Sequence, residues 1–136
     1  MNTTVPGPLS ILVADDEEGI RSLLMRWLGK HGHQVSCVGS GKAATRLIQQ
    51  ERFDLVITDV VMPDGDAFEL IPVVRKTQPE ARILAISGGG RYLPSGDCLS
   101  LASRLGAHAT VLKPFNWEQM RSGIVQALPA FGEQCA

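Results

Sequence analysis

Carboxylates, a hydroxyl and an ammonium stand directly after short apolar segments of this sequence. In chain order, these residues are Asp15, Asp16, Asp59, Ser87 and Lys113. Carboxylates that crowd together repel each other and raise one another's pKa unless a cation lies between them. Mg²⁺ suits such a group because it uses few carboxylates and keeps water for substrate oxygens. The set therefore predicts phosphoryl transfer, which needs positioning and charge neutralisation, with one carboxylate as the nucleophile.

Short apolar runs separated by amphipathic segments are the elements that must position these side chains. Runs typical of buried parallel strands occur at Ile11–Ala14, Gln34–Val38, Leu55–Ile57, Ile83–Ile86 and Thr110–Leu112. Amphipathic helices are predicted between and after them. The alternation predicts an α/β fold, a doubly wound five-stranded parallel sheet with helices on both faces. Ligands bind at the carboxyl ends of the strands in such sheets, so the polar residues are expected to converge there.

Two helices carry specific expectations. Pro72 is expected to kink the third helix, which should run from about Ala67 to Lys76, or to delay its start. A fourth helix is expected over Asp97–Leu105, after a glycine-rich loop.

The motifs resemble, in order and placement, the receiver domain of bacterial two-component response regulators. The resemblance covers residues 10–128, with tails at 1–9 and 129–136, and its motifs are Asp15-Asp16, Asp59, Met62-Pro63, Ser87 and Lys113-Pro114. It implies a flavodoxin-like sheet with strand order 2-1-3-4-5. It also implies a phosphoacceptor module of the stand-alone kind, which is not a turnover enzyme on an external substrate.

The resemblance also implies a role for the acidic residues. Asp59 would accept a phosphoryl group from a sensor histidine kinase or a histidine phosphotransfer protein. Mg²⁺ would be held by Asp15, Asp16, Asp59 and the backbone carbonyl of Val61. A valine at this last position cannot position an attacking water by hydrogen bonding, so we expect slow loss of the phosphoryl group.

The conformational switch is the second implication of the resemblance. Lys113 would contact the phosphoryl group through a loop whose Lys113–Pro114 bond is cis, which proline permits at modest cost. Ser87 would swing towards the phosphoryl group and shift an equilibrium on the face of the fourth helix and fifth strand. Thr110 stands where most receivers carry an aromatic residue. We hypothesise that the glycine-rich loop and the fourth helix carry the motion, with Tyr92 replacing the missing ring.

Composition narrows the class of protein. A chain of 136 residues is enough for one domain with a single core, and a net charge of −1 predicts no nucleic-acid footprint. No apolar run is long enough to span a bilayer, and the first ten residues lack a secretory pattern. The three cysteines, an odd number without close pairing, are typical of reduced cytosolic thiols. We expect a cytoplasmic protein.

Other functions on the same fold are less well supported. A phosphatase of the haloacid-dehalogenase type would need a second Asp two residues after the nucleophile, where Val61 stands. A flavodoxin-like flavin site would be opposed by the charge of Asp15 and Asp16. Two alternatives stay open: a docking module that works without phosphorylation, and a receiver fragment of a larger DNA-binding regulator. A single receiver would act by docking on a protein target, as a relay shuttle or as a phosphate sink.

Histidines and tryptophans complete the polar and aromatic candidates. His31 and His33 belong to a glycine-flanked segment with no metal-ligand pattern, which predicts a surface loop. Trp27 and Trp117 fall on apolar helix stripes and are expected in the core.

Overall fold

The computed structural model describes residues 8–62, 64–88, 100 and 102–129. Its strands are β1 (Ser10–Ala14), β2 (Gln34–Val38), β3 (Leu55–Asp59), β4 (Arg82–Ser87) and β5 (Ala109–Leu112). Its helices are α1 (Glu18–Lys30), α2 (Gly41–Gln50), α3 (Ala67–Thr77), the helical residues 102–105 (α4), and α5 (Trp117–Ala127).

The five strands form one parallel sheet in the order β2-β1-β3-β4-β5. This order confirms the predicted fold class and strand order. Strands β1 and β3 lie at its centre, and apart from Ser10 every residue of both is buried. Since parallel neighbours need crossover connections, the helices cover both faces of the sheet.

Alternating strand residues build a separate core on each face of the sheet, as the two-residue period of a strand requires. On one face, Ile11, Val13 and Ile57 pack in a cluster that includes apolar residues of α1 and α5. On the other, Leu12 and Val56 pack with residues of α2, α3 and α4. The two cores fix the sheet, and with it the edge where the polar residues meet.

The helices follow their sequence signals closely. Ser40 caps α2 by accepting a hydrogen bond from the Ala43 N–H at 3.1 Å, and Asn116 and Gln119 form a capping box on α5. Pro72 was expected to kink the third helix or to delay its start, and the delay does not occur: α3 begins at Ala67 and continues through Pro72 to Thr77. Among the described residues, no helix is long and apolar enough to cross a membrane.

The two tryptophans expected in the core are only half-buried. Trp27 on α1 and Trp117 on α5 contact each other with ring centroids 5.5 Å apart, and His31 stacks on Trp117 at 4.8 Å. The two rings pack between α1 and α5 at the rim of the core rather than in its centre.

His33 contradicts the expectation of a surface loop. Gly32, at φ +88°, reverses the chain after α1, and this turn leaves His33 only 8% exposed. Its Nδ1 accepts a hydrogen bond from the Leu9 N–H at 3.0 Å. His108 does the same for the Ile83 N–H at 3.0 Å. Both rings therefore need an unprotonated Nδ1 in the folded chain.

These two histidines predict a loss of stability in mild acid. Burial, helped by nearby positive groups, lowers the pKa of both from the ordinary 6.5. Below pH 6.5 these two histidines therefore bind more protons in the unfolded chain than in the folded chain. Stability from these histidines is complete above pH 6.5 and falls as the pH drops, by at most about 1.4 kcal/mol per pH unit for each ring.

Urea unfolding at pH 7.5 and 5.5 measures this effect. The loss of unfolding free energy between the two pH values should be smaller in a variant with His33→Gln and His108→Gln, because glutamine accepts the same hydrogen bonds without titrating. His31→Gln, at an exposed histidine, is the matched control and should keep most of the wild-type loss, because burial remains the main cause of the lowered pKa of His33. An equal loss in all three proteins would show that His33 and His108 do not cause the loss of stability in acid.

Candidate functional site

All five polar residues selected from the sequence lie at the carboxyl edge of the sheet. Asp15 directly follows β1 and is followed by Asp16, whereas Asp59 and Ser87 are the last residues of β3 and β4. Lys113 directly follows β5. The parallel register places the ends of these strands side by side.

Three carboxylates form the acidic part of the site. Asp15, Asp16 and Asp59 each offer an oxygen, and these oxygens lie within 4.8 Å of one another. Asp15 is fully buried and Asp59 is 7% exposed, whereas Asp16 is exposed. The cluster is therefore closed by protein on one side and open to water on the other.

Lys113 supplies the opposite charge. Its Nζ lies 2.9 Å from Asp15 Oδ2, 3.3 Å from Asp59 Oδ2 and 2.6 Å from Glu17 Oε1. Burial of the ammonium by itself lowers the pKa of Lys113, but the hydrogen bonds to Glu17 and Asp15 and the charge of Asp59 outweigh it and raise that pKa above its ordinary value. Lys113 therefore carries its charge at any physiological pH.

The carboxyl of Asp59 is held in an environment that resists ionisation. Burial and the charge of Asp15 raise the pKa of Asp59 to about 6, against the opposing effects of Lys113 and of the Val60 N–H, which donates to Oδ1 at 2.8 Å. Burial likewise raises the pKa of Asp15. One lysine does not fully compensate three carboxylates, so the site favours a further cation.

The donors at this edge fit a hard divalent cation. Oδ2 of Asp15 is buried, and among the described residues no other group donates a hydrogen bond to it beside its ion pair with Lys113 Nζ at 2.9 Å. A buried carboxylate oxygen with a single cationic partner is incompletely satisfied, and coordination of a metal ion would supply a further contact. All three side chains offer carboxylate oxygens, the ligand type that Mg²⁺ prefers, and the exposed side leaves room for its waters.

Ser87 and Lys113 are joined through the backbone. The Lys113 N–H donates to the Ser87 carbonyl at 2.9 Å, and Ser87 is 1% exposed. As expected, the Lys113–Pro114 bond is cis. Thr110 is half-buried in β5, and Val61 packs its side chain against the core. Tyr92 and most of the glycine-rich loop lie outside the described residues.

Two contributors to the site were missed in the sequence. Glu17 contacts Lys113 although 96 residues separate them, and Arg21 Nη1 donates to the backbone carbonyl of Asp15 at 2.8 Å. Glu17 belonged to an acidic stretch that looked like an ordinary helix start. Nothing in the sequence marked Arg21 as part of the site, because only the direction of α1 brings its side chain back to the residues that follow β1.

Comparison with known proteins agrees with this geometry. A sequence model of the response regulator receiver domain matches residues 11–125, and the chain belongs to this family. It is a receiver domain, the phosphoacceptor module of two-component signalling.

Two relatives differ in how much of their length the chain covers. The DNA-binding transcriptional regulator NtrC of Azospirillum brasilense is 35% identical over 119 residues, which are 88% of this chain and 24% of NtrC. The sporulation initiation phosphotransferase F of Bacillus subtilis is 29% identical over 119 residues, which are 88% of this chain and 93% of that protein. The chain thus spans about a quarter of NtrC and nearly all of the phosphotransferase.

Solved structures share the fold. The chemotaxis response regulator CheY4 of Vibrio cholerae has a TM-score of 0.79 at 27% identity, over 90% of this chain and 100% of that chain. A response regulator from Burkholderia pseudomallei, solved with a phosphorylated aspartic acid, a calcium ion and citrate, has a TM-score of 0.74 at 26% identity. This match covers 93% of this chain and 69% of that chain.

Proposed function

We propose that this receiver accepts a phosphoryl group on Asp59, from a sensor histidine kinase or a histidine phosphotransfer protein. The observation that carries the proposal is the convergence of one ammonium and three carboxylates, with Lys113 Nζ 3.3 Å from Asp59 Oδ2. Asp59 combines the placement of a nucleophile with a cationic partner, Lys113, and two neighbouring carboxylates that could share a metal ion with it. The phosphorylated aspartic acid and calcium ion of the Burkholderia relative support this assignment.

The two oxygens of Asp59 have different tasks. The Val60 N–H holds Oδ1, so we assign the attack on phosphorus to Oδ2, which faces Lys113. A P–O bond to Asp59 forms while the P–N bond to the donor histidine breaks, and the electron pair returns to the imidazole. Lys113 then donates a hydrogen bond to a phosphoryl oxygen.

The acidic cluster prepares Asp59 for this attack. Asp15, Asp16, Asp59 and the backbone carbonyl of Val61 would hold Mg²⁺, which supplies charge neutralisation for the phosphoryl oxygens. A proton on Asp59 would compete with the cation, so binding of Mg²⁺ to the metal-free site is expected to weaken as the pH falls below about 6.

The conformational change would follow from the negative charge that the phosphoryl group adds. An aspartyl phosphate places new acceptor oxygens next to a buried serine at the end of β4, and Ser87 would turn its hydroxyl to them. Because Ser87 and Lys113 are tied by a backbone hydrogen bond, this movement would bias the neighbouring face of α4 and β5. We propose that the reader of this face is a protein target in the cytoplasm, and that no external substrate is turned over.

Intact-mass spectrometry with acetyl phosphate tests the proposal. Wild-type protein with Mg²⁺ is expected to gain one phosphoryl group, and Asp59→Asn none, because an amide oxygen is a poor nucleophile. Asp54→Asn is the matched control, since Asp54 lies at the opposite end of β3, where its Oδ2 accepts the Ser10 N–H. A wild-type chain that gains no adduct from acetyl phosphate or from a histidine kinase would refute the function.

Val61 predicts a long-lived phosphoryl group. Its side chain packs on the core and offers no hydrogen bond to an attacking water. Val61→Asn should place an amide near that water and speed hydrolysis about tenfold, less than the roughly hundredfold or more of a general base, because an amide orients the water without taking its proton. Decay of the adduct, followed by mass after removal of the donor, measures the rate. Equal decay in both proteins would show that this position does not control hydrolysis.

A further inference from the structure

Glu17 places an additional carboxylate on the ammonium of Lys113. It is the N-cap residue of α1, yet its side chain makes no capping hydrogen bond. Instead, Oε1 accepts from Lys113 Nζ at 2.6 Å, the shortest of the three contacts that Lys113 makes with carboxylates. The Glu17 N–H donates to Asp15 Oδ1 at 2.9 Å, which holds its backbone beside the acidic cluster. The fold therefore directs this side chain towards the lysine rather than towards its own helix.

Carboxylate oxygens already surround the ammonium of Lys113. An ammonium offers three N–H bonds, and three carboxylate oxygens lie within 3.3 Å of this one. An oxygen arriving at Asp59 must therefore compete with these three carboxylates for the ammonium.

Exposure decides which carboxylate can leave. The side chains of Asp15 and Asp59 are 0% and 10% exposed, whereas that of Glu17 is 60% exposed. Asp15 and Asp59 are also fixed at the ends of central strands. Glu17 has a longer side chain and is hydrated readily when it swings out.

We propose that Glu17 is a positioning residue that competes with the incoming phosphoryl group for Lys113 and thereby limits phosphoryl transfer to Asp59. This inference rests on the function proposed above. The Glu17 side chain would leave Lys113 each time Asp59 accepts a phosphoryl group and return when the group is lost. We call this side chain the gate. The gate sets the rate and the affinity of the site without touching the reacting atoms.

The rate of phosphorylation by acetyl phosphate is the first test. Glu17→Gln should raise the rate constant roughly two- to fivefold, the range that exposed ion pairs contribute. Glu18→Gln is the matched control, because it removes the same charge from the next, exposed residue at the start of α1. Its rate should stay within a factor of two of wild type. An unchanged or lower rate in Glu17→Gln, or an equal gain in Glu18→Gln, overturns the proposal.

The affinity for beryllofluoride with Mg²⁺ is the second test, since this phosphoryl mimic binds without a chemical step. Glu17→Gln should bind it more tightly by a similar factor, and the gain should vanish when Lys113→Gln is also present. A gain that persists without the lysine would mean that Glu17 acts by general repulsion, and would overturn the proposed competition.

The wild-type and Asp59→Asn proteins separate this inference from the function itself. If wild type is phosphorylated, Asp59→Asn is not, and Glu17→Gln behaves as wild type, only the gate is refuted. If wild type takes no phosphoryl group from any donor, the function fails and the gate fails with it. Exchange of the Lys113 ammonium protons with water, followed by NMR, checks the contact alone and should be faster in Glu17→Gln.

Discussion

Replacing Lys113 with methionine is expected to lower the free energy of unfolding by about 3 kcal/mol in metal-free protein, a typical cost of removing one partner from a buried ion pair. The substitution keeps the volume of the side chain but leaves Asp15 and Asp59 without their cation. Asp15 Oδ2 is the more affected, because it is buried and no hydrogen bond from the described residues would replace its ion pair with Lys113 at 2.9 Å. Phosphorylation should also fall by at least tenfold, as expected when a charged hydrogen bond is lost in transfer.

Urea unfolding with EDTA or with Mg²⁺ measures the structural part of this prediction. Mg²⁺ should restore most of the lost stability, because the cation takes over the neutralisation of both carboxylates. Lower pH should also reduce the loss, since protonated carboxyls no longer repel each other. Lys42→Met, at an exposed lysine, should change stability little. A Lys113→Met protein as stable as wild type in EDTA would show that the ammonium does not balance this cluster.

Substituting alanine for Gly41 should be the most disruptive glycine replacement in the chain's described part. A Cβ built on Gly41, the first residue of α2, would lie 1.8 Å from the carbonyl oxygen of Gly65. The obstacle is backbone, so α2 and the turn before α3 must move apart. That movement breaks the hydrogen bond from the Lys42 N–H to the Asp64 carbonyl, now 2.9 Å. We expect a loss of about 2–3 kcal/mol in unfolding free energy, as for severe overpacking.

Gly41→Ala should also slow phosphorylation, because the displaced turn is the end of the loop that follows Asp59. In that loop the Met62 N–H donates to Asp66 Oδ1 at 3.0 Å. Gly29→Ala in α1 is the matched control, since nothing lies within 4 Å of its added Cβ. It should raise stability by up to about 1 kcal/mol, the helix propensity difference. Equal stability changes from the two substitutions would contradict the close contact of α2 with the turn.

The sequence by itself determined the order of elements and the identity of the acceptor region. Continuous apolar runs such as Ile11–Ala14 can be buried on both faces only in a parallel sheet, and the amphipathic segments between them supply its crossovers. Asp59 closes such a run, where a carboxylate needs a partner. The strand order followed from resemblance to a family, because local patterns do not state which strands pair.

Tertiary structure alone decided the contacts that join distant parts of the chain. His33 has no apolar pattern around it, and only the turn at Gly32 buries its ring beneath the start of β1. The aromatic stripe of α1 did not reveal that Trp27 would meet Trp117 at the rim of the core rather than fill its centre.

Glu17 shows the limit most clearly. Its type and its place in an acidic stretch are those of an ordinary helix start, and the sequence determined no more than that. Its role depends on the distance to the ammonium of Lys113, which follows β5, and electrostatic energy varies with distance and burial rather than with separation along the chain. The sequence therefore determined which charges exist, and the fold decided which of them act on one another.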